Sequence, residues 1–216
     1  MTKKTTIRTL LLASGLTFGI AASSFAQGTG ASVPAPGTDT GKGLLGQSYV
    51  SLAYGYTDLH QTSAHYSGLS FEYNQPLNTG FDFNLGIGDA WSSKYSGTRS
   101  RQQSVFPSAV AFIPDLSWGR PFIGVGAGWI WTKDASTRHN SFAYGMNTGV
   151  EFQVTKELSI TPFVGYTDAT SFDVNNKWDF GAKANYWITD QWAMNAGISR
   201  DNMVNTTYSV GTTFRF

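Results

Sequence analysis

The stretch "GFDFNLGIGDA" (residues 80–90) alternates strictly: Phe81, Phe83, Leu85 and Ile87 oppose Asp82, Asn84, Gly86 and Gly88. Successive side chains of a β-strand point to opposite faces, so this pattern makes one apolar face and one small or polar face. The same period recurs along the chain. In "YVSLAYGYT" Val50, Leu52, Tyr54 and Tyr56 oppose Ser51, Ala53 and Gly55, and in "GLSFEYN" Leu69, Phe71 and Tyr73 oppose Ser70, Glu72 and Asn74. "RPFIGVGAGWIW" sets Ile123, Val125, Ala127, Trp129 and Trp131 against Gly124, Gly126 and Gly128. "SFAYGMNTGVEFQV", "LSITPFVGYT", "KWDFGAKANYW", "QWAMNAGIS" and "YSVGTTFRF" continue it. The weakest segment is "QSVFPSAVAFI", where Pro107 interrupts and both faces are apolar. With it the chain has ten strands; eight is the alternative.

Composition decides what those apolar faces meet. Only 13% of the 216 residues are charged, aromatics make up 15%, and there are 24 glycines, yet the mean hydropathy is −0.20. Few charges suit a membrane protein, but after the N-terminal segment no stretch approaches the eighteen apolar residues of a spanning helix. The two facts agree if apolar residues occupy every second position on strands that face lipid, the weak per-segment signal of a transmembrane β-barrel. A soluble β-sandwich also alternates, but its solvent face would be rich in Lys, Glu and Asp. Here the second face is mainly Gly, Ser, Asn and Thr, which suits a narrow lumen. The expected fold is therefore all-β: a closed antiparallel transmembrane barrel.

Residues 1–26 read as an export signal: Lys3, Lys4 and Arg8, then a short apolar core, then "SFA" before Gln27. Residues 27–46, rich in Gly, Pro and Thr, read as a flexible periplasmic linker. The barrel is expected over 47–216. Without Cys it must be held by packing and hydrogen bonds alone. The near balance of charge gives no sign of a nucleic-acid partner. Tight connections ("NQPLNTG", "PDLSWG", "TKE", "TD") alternate with longer polar ones ("TDLHQTSAH", "SSKYSGTRSR", "TKDASTRHN", "DATSFDVNNK", "RDNMVN"), as in a barrel with periplasmic turns and external loops. An even strand number places both termini in the periplasm.

An open strand edge in hydrocarbon leaves unpaired N–H and C=O groups, so the last strand should close on the first. The export signal, the alternating strands and a final strand ending in Phe together resemble the small outer-membrane β-barrel superfamily of OmpA-type and opacity-type proteins, over residues 47–216. The resemblance implies outer-membrane localisation in a Gram-negative-type bacterium. It also implies contact of Tyr208, Val210, Phe214 and Phe216 with the barrel assembly machinery. With the sequence ending at Phe216, no wall-binding domain like that of two-domain OmpA-type proteins is expected.

Candidate functional residues fall in three groups. Glu72, Asp82, Glu151, Lys183 and Arg215 all point inward on this register, forming either a lumen-plugging ion-pair network or the constriction of a pore. Lys94, Arg99 and Arg101 make the most basic loop, candidate contacts for lipopolysaccharide phosphates in an outer leaflet. Trp91, Trp129, Trp131, Trp178, Trp187 and Trp192 read as interfacial girdle residues.

Enzyme chemistry ranks behind these. His60, His65 and His139 are placed in external loops. "DLH" (Asp58–His60) resembles the rim pairs of omptin-type proteases only in part. His139 and Ser141 with Glu151 resemble a deacylase set, but Glu151 lies at the far end of its strand. "GVGAG" (residues 124–128) lacks the helix that a phosphate-binding loop requires. The expectation is a monomeric, non-enzymatic barrel without metal or cofactor. It would have a structural or surface-interaction role among outer-membrane lipids and a mostly plugged lumen. A small porin for ions or very small polar solutes is the alternative.

Overall fold

The computed structural model describes residues 43–60, 64–93, 99–114, 116–133, 137–170 and 176–216. The export signal, most of the linker and Lys94 lie outside them. The described residues form ten strands: β1 (Tyr49–Asp58), β2 (His65–Asn78), β3 (Phe81–Ser92), β4 (Arg101–Phe112), β5 (Arg120–Lys133), β6 (Arg138–Gln153), β7 (Leu158–Ala169), β8 (Lys177–Trp187), β9 (Trp192–Asp201) and β10 (Thr206–Arg215). Each pairs antiparallel with its chain neighbours, and β1 pairs with β10 from Tyr49↔Arg215 to Asp58↔Thr206, which closes the barrel. The count is ten, not eight.

The outer wall follows the alternation. Leu52, Tyr54, Leu69, Phe71, Phe83, Ile123, Val125, Met146, Phe180, Met194, Ile198 and Val210 are all exposed. Soluble monomers rarely expose a continuous apolar surface of this kind; it is a wall for hydrocarbon. Trp91, Trp129, Trp131 and Trp178 sit on it near one rim and Trp192 near the other. Trp187 does not join them. On β8 the even positions face out, so Trp187 points inward and is buried beneath Arg215, whose guanidinium lies 4.8 Å from the indole ring centre.

The weakest predicted strand is β4, and the structure shows why it looked apolar on both faces. Phe106, Val110 and Phe112 point inward and are buried. They meet inward Leu45, Phe122, Ile130 and Phe163, so hydrocarbon packs the β4–β7 side of the interior, while the rest is mainly polar apart from two smaller apolar clusters around Tyr66 and Trp187. Pro107 faces outward. It pairs with Leu85 of β3, while the β4–β5 ladder is interrupted between Val105↔Trp129 and Ser108↔Gly126. Pro162 of β7 likewise lies at the interruption between Gly149↔Phe163 and Phe152↔Ile160. A residue without an N–H fits where a rung is already missing.

Inward glycines serve this packing. A Cβ on Gly149 would lie 2.8 Å from Cζ of Phe122, and one on Gly181 would lie 2.7 Å from Cζ of Phe163. The space that small inward residues leave is filled by rings from the neighbouring strand. Residues 79–80, 113–114, 116–119, 154–157 and 188–191 lie between strands at the rim where β1 begins and β10 ends, hereafter the terminal rim. The other strand connections meet at the opposite end, hereafter the loop rim, where residues 59–60, 64, 93, 99–100, 137, 170, 176 and 202–205 are described. The expected contrast in loop length is weaker than the sequence suggested. Strands continue through residues read as loop: His65 opens β2 and His139 is the second residue of β6.

Candidate functional site

The polar half of the interior is organised around Glu72 on β2. Its Oε1 accepts hydrogen bonds from the Tyr49 hydroxyl (2.6 Å) and from Asn84 Nδ2 (2.9 Å), and its Oε2 lies 3.7 Å from Nζ of Lys183 on β8. Going round the wall, β1, β10 and β9 separate β2 from β8. The Glu72–Lys183 ion pair therefore spans the lumen rather than running along the wall. A cavity of about 50 Å³ lies beside it, lined by Ser51, Ser70, Glu72, Lys183 and Asn195 among others. That is room for a few waters at most. Asn195 Nδ2 donates to Ser51 Oγ (3.3 Å) and Thr213 Oγ1 (3.1 Å), tying β9 to β1 and β10 across this polar wall.

A second assembly occupies the terminal rim, and part of it is the segment just before β1. Residues 43–46, the last four read as linker, are folded into the mouth. Leu45 is buried against Val110, Phe112 and Phe122, and Leu44 against Tyr49, Trp187 and Ala193. Their backbone is held by side chains of the wall. Leu44 N–H donates to Glu151 Oε2 (2.7 Å), Arg120 Nη1 donates to the Leu45 carbonyl (2.8 Å), and Gly46 N–H reaches Asp82 Oδ2 (3.5 Å). Arg120 and Glu151 are themselves an ion pair and oppose each other across β5 and β6. Asn74 Nδ2 donates to the Gln47 carbonyl. Backbone groups taken from water need such partners.

The five predicted lumen charges are thus divided. Glu72 and Lys183 meet across the middle. Glu151 and Asp82 hold the mouth segment. Arg215 stands at the terminal rim over Trp187, donating to Gln47 Oε1 (3.1 Å) and the Asp190 carbonyl (2.6 Å). Sequence reasoning missed Arg120, although it has the parity of buried Phe122 and so points inward. A third polar cluster, at the loop rim, was also missed. There Lys177 Nζ lies 3.6 Å from Asp201 Oδ2, with Asp179 on the same inward face, and all three are buried. Asp201 also accepts from Asn205 N–H and Nδ2 (2.9 Å each).

The remaining candidates are scattered. His139 and Ser141 lie at the loop rim, whereas Glu151 is at the terminal rim and engaged with Arg120 and Leu44. The structure does not bring this set together. His65 stacks on Tyr56, ring centres 5.2 Å apart. Arg99 is exposed before β4. Arg101 faces outward and forms a bidentate pair with Asp89 of β3 (Nε–Oδ1 2.8 Å), so it already has a carboxylate partner. Tyr208, Val210 and Phe216 are exposed on the outer wall. Phe216 stacks on Tyr73 (6.4 Å) and Phe214 packs on Trp192 (4.9 Å).

No protein-family profile matches the chain, and no curated protein does either. The resemblance to OmpA-type and opacity-type barrels therefore rests on architecture alone. Among solved structures, the chain is similar to the NanC porin, at 10% identity and a TM-score of 0.47, covering 77% of this chain and 100% of that one. It is similar to the translocator domain of the autotransporter NalP from Neisseria meningitidis, at 11% identity and a TM-score of 0.45, covering 79% and 89%. A third is the β domain of the Bordetella autotransporter Brka, at 10% identity and a TM-score of 0.47, covering 79% and 99%. None of these likenesses bears on what this chain does.

Proposed function

We propose that the chain is an outer-membrane β-barrel with a closed lumen and a structural or surface-interaction role, monomeric and not an enzyme. The observation that carries this reading is the filled interior. An ion pair crosses the lumen between Glu72 and Lys183, and Leu44 and Leu45 occupy the terminal mouth. Small barrels have interiors that side chains can fill, whereas open aqueous channels belong to larger ones. The apolar outer wall supports a bilayer location, with the terminal rim facing the periplasm and the loop rim facing out. In that orientation Tyr208, Val210, Phe214 and Phe216 form the surface for the barrel assembly machinery.

The test is conductance of the refolded barrel in a planar bilayer, with folding verified by the mobility difference between boiled and unboiled samples. Folded, inserted protein is expected to pass no steady current. Reproducible ion-selective steps from the wild-type protein would overturn the closed-lumen reading in favour of a narrow porin.

A further inference from the structure

Among the charges on the outward face of the described residues, three cations stand side by side. Arg101, Lys133 and Arg138 stand in a single row: Arg101 opposes Lys133 across β4 and β5, and Lys133 opposes Arg138 across β5 and β6. All three are exposed on the outward face at the loop rim. Like charges directly opposite each other across a sheet repel. Asp89 neutralises Arg101, but among the described residues neither Lys133 nor Arg138 has a carboxylate partner. The other nearby outward carboxylate, Asp168, accepts a hydrogen bond from the Tyr144 hydroxyl (3.0 Å). Among the described residues, two adjacent cations therefore have no counter-charge.

The row below them is built for hydrogen bonding. Gln103, Trp131 and Asn140 oppose one another across the same three strands, one outward position nearer the barrel's middle. Together with the cations they line an outer-wall cleft of about 550 Å³. Trp129 and Trp131, both exposed, mark the bilayer interface on β5, and Lys133 is the next outward residue beyond them. A cation just past the aromatic belt lies at the level of lipid phosphates.

We propose that this cleft is a binding site for the phosphate of an anionic membrane lipid, with Lys133 and Arg138 as the principal ligands. Arg101, held by Asp89, closes one side, and Gln103, Asn140 and the Trp131 indole N–H supply hydrogen bonds to the headgroup. The site includes one of the three basic residues first read as a phosphate contact, but its centre is two strands further round the wall. The inference rests on the membrane reading above, not on which leaflet the loop rim faces.

The experiment uses the full barrel reconstituted in phosphatidylcholine vesicles doped with brominated lipid, reading quenching of tryptophan fluorescence. Quenching by brominated phosphatidylcholine reports insertion; its absence would sink the membrane reading itself. With insertion established, titration of brominated phosphatidic acid against phosphatidylcholine is expected to show a class of sites preferring the phosphomonoester about fivefold or more. That preference should fall to near unity in Lys133→Gln/Arg138→Gln and persist in Lys133→Arg. A wild-type barrel with no preference, or a double variant that keeps it, overturns the proposal. So does inorganic phosphate at millimolar concentration abolishing the preference, since the site would then be one for a free anion rather than a lipid.

Discussion

Val204 lies in the connection between β9 and β10 with a φ of 70°. A β-branched side chain in the left-handed region is strained, at a cost of about 1–3 kcal/mol. The turn is held in that shape by Asp201. Its carbonyl accepts from Val204 N–H (2.9 Å) and its Oδ1 from Met203 N–H (3.0 Å) and Asn205 N–H (2.9 Å). Because Asp201 imposes the conformation, changing the side chain should leave the turn in place. Val204→Asn is expected to stabilise the barrel by about 1 kcal/mol, since Asn tolerates this region far better. Urea unfolding from lipid vesicles would show it as a raised midpoint; an unchanged or lowered midpoint would mean that Val204 contributes packing the turn needs. At this scale, parity was the legible signal and its incomplete use the source of error. Applied to every residue of β5 and β8, it places Arg120 and Lys177 inside and removes Trp187 from the girdle. Whether an inward charge meets a neighbour or reaches across the lumen depends on strand order and tilt, which parity does not encode.

At the scale of elements, the alternation located nine of the ten strands and left β4 insecure, and their pairing follows chain order, so the fold was largely present in the period. Two elements were hidden. β4 lost its alternation because its inward face supplies the apolar half of the interior, with Phe106, Val110 and Phe112 pointing inward. The mouth segment had no period at all; its trace in the sequence was the pair Leu44–Leu45 at the end of a stretch otherwise rich in Gly, Pro and Thr. Burying a Leu side chain is worth about 1.5–3 kcal/mol, and three described hydrogen bonds to the wall add to it. Leu44→Ser/Leu45→Ser is expected to detach this segment while leaving the ladder intact. Limited proteolysis should then cut before Gln47 in the variant and spare that site in the wild type. Equal protection in both would show that the polar clasp of Glu151, Arg120 and Asp82 holds the segment without its leucines.

At the scale of the whole molecule, the issue is whether the two closures are independent. The Glu72–Lys183 pair sits in the middle of the lumen and the leucines in its mouth, so removing one should leave the other. In Lys183→Met the carboxylate keeps its hydrogen bonds from Tyr49 and Asn84, and the loss should be smaller than the about 3–5 kcal/mol expected for orphaning a buried charge. Glu72→Leu removes the acceptor of the Tyr49 and Asn84 hydrogen bonds and the counter-charge of Lys183 at once, and should cost more. Combining the two removes the pair without orphaning Lys183, so the double variant should be less destabilised than the sum of the singles, with a coupling of about 1–3 kcal/mol. Strict additivity in vesicle unfolding would mean that the pair does not tie the two walls together. Conductance separates the layers of closure. Glu72→Leu/Lys183→Met alone should stay silent, because the leucines still fill the mouth, and Leu44→Ser/Leu45→Ser alone should stay silent, because the ion pair still spans the lumen. Only the quadruple variant is expected to pass current. Steady current from either double variant would place the whole barrier at the site it removes.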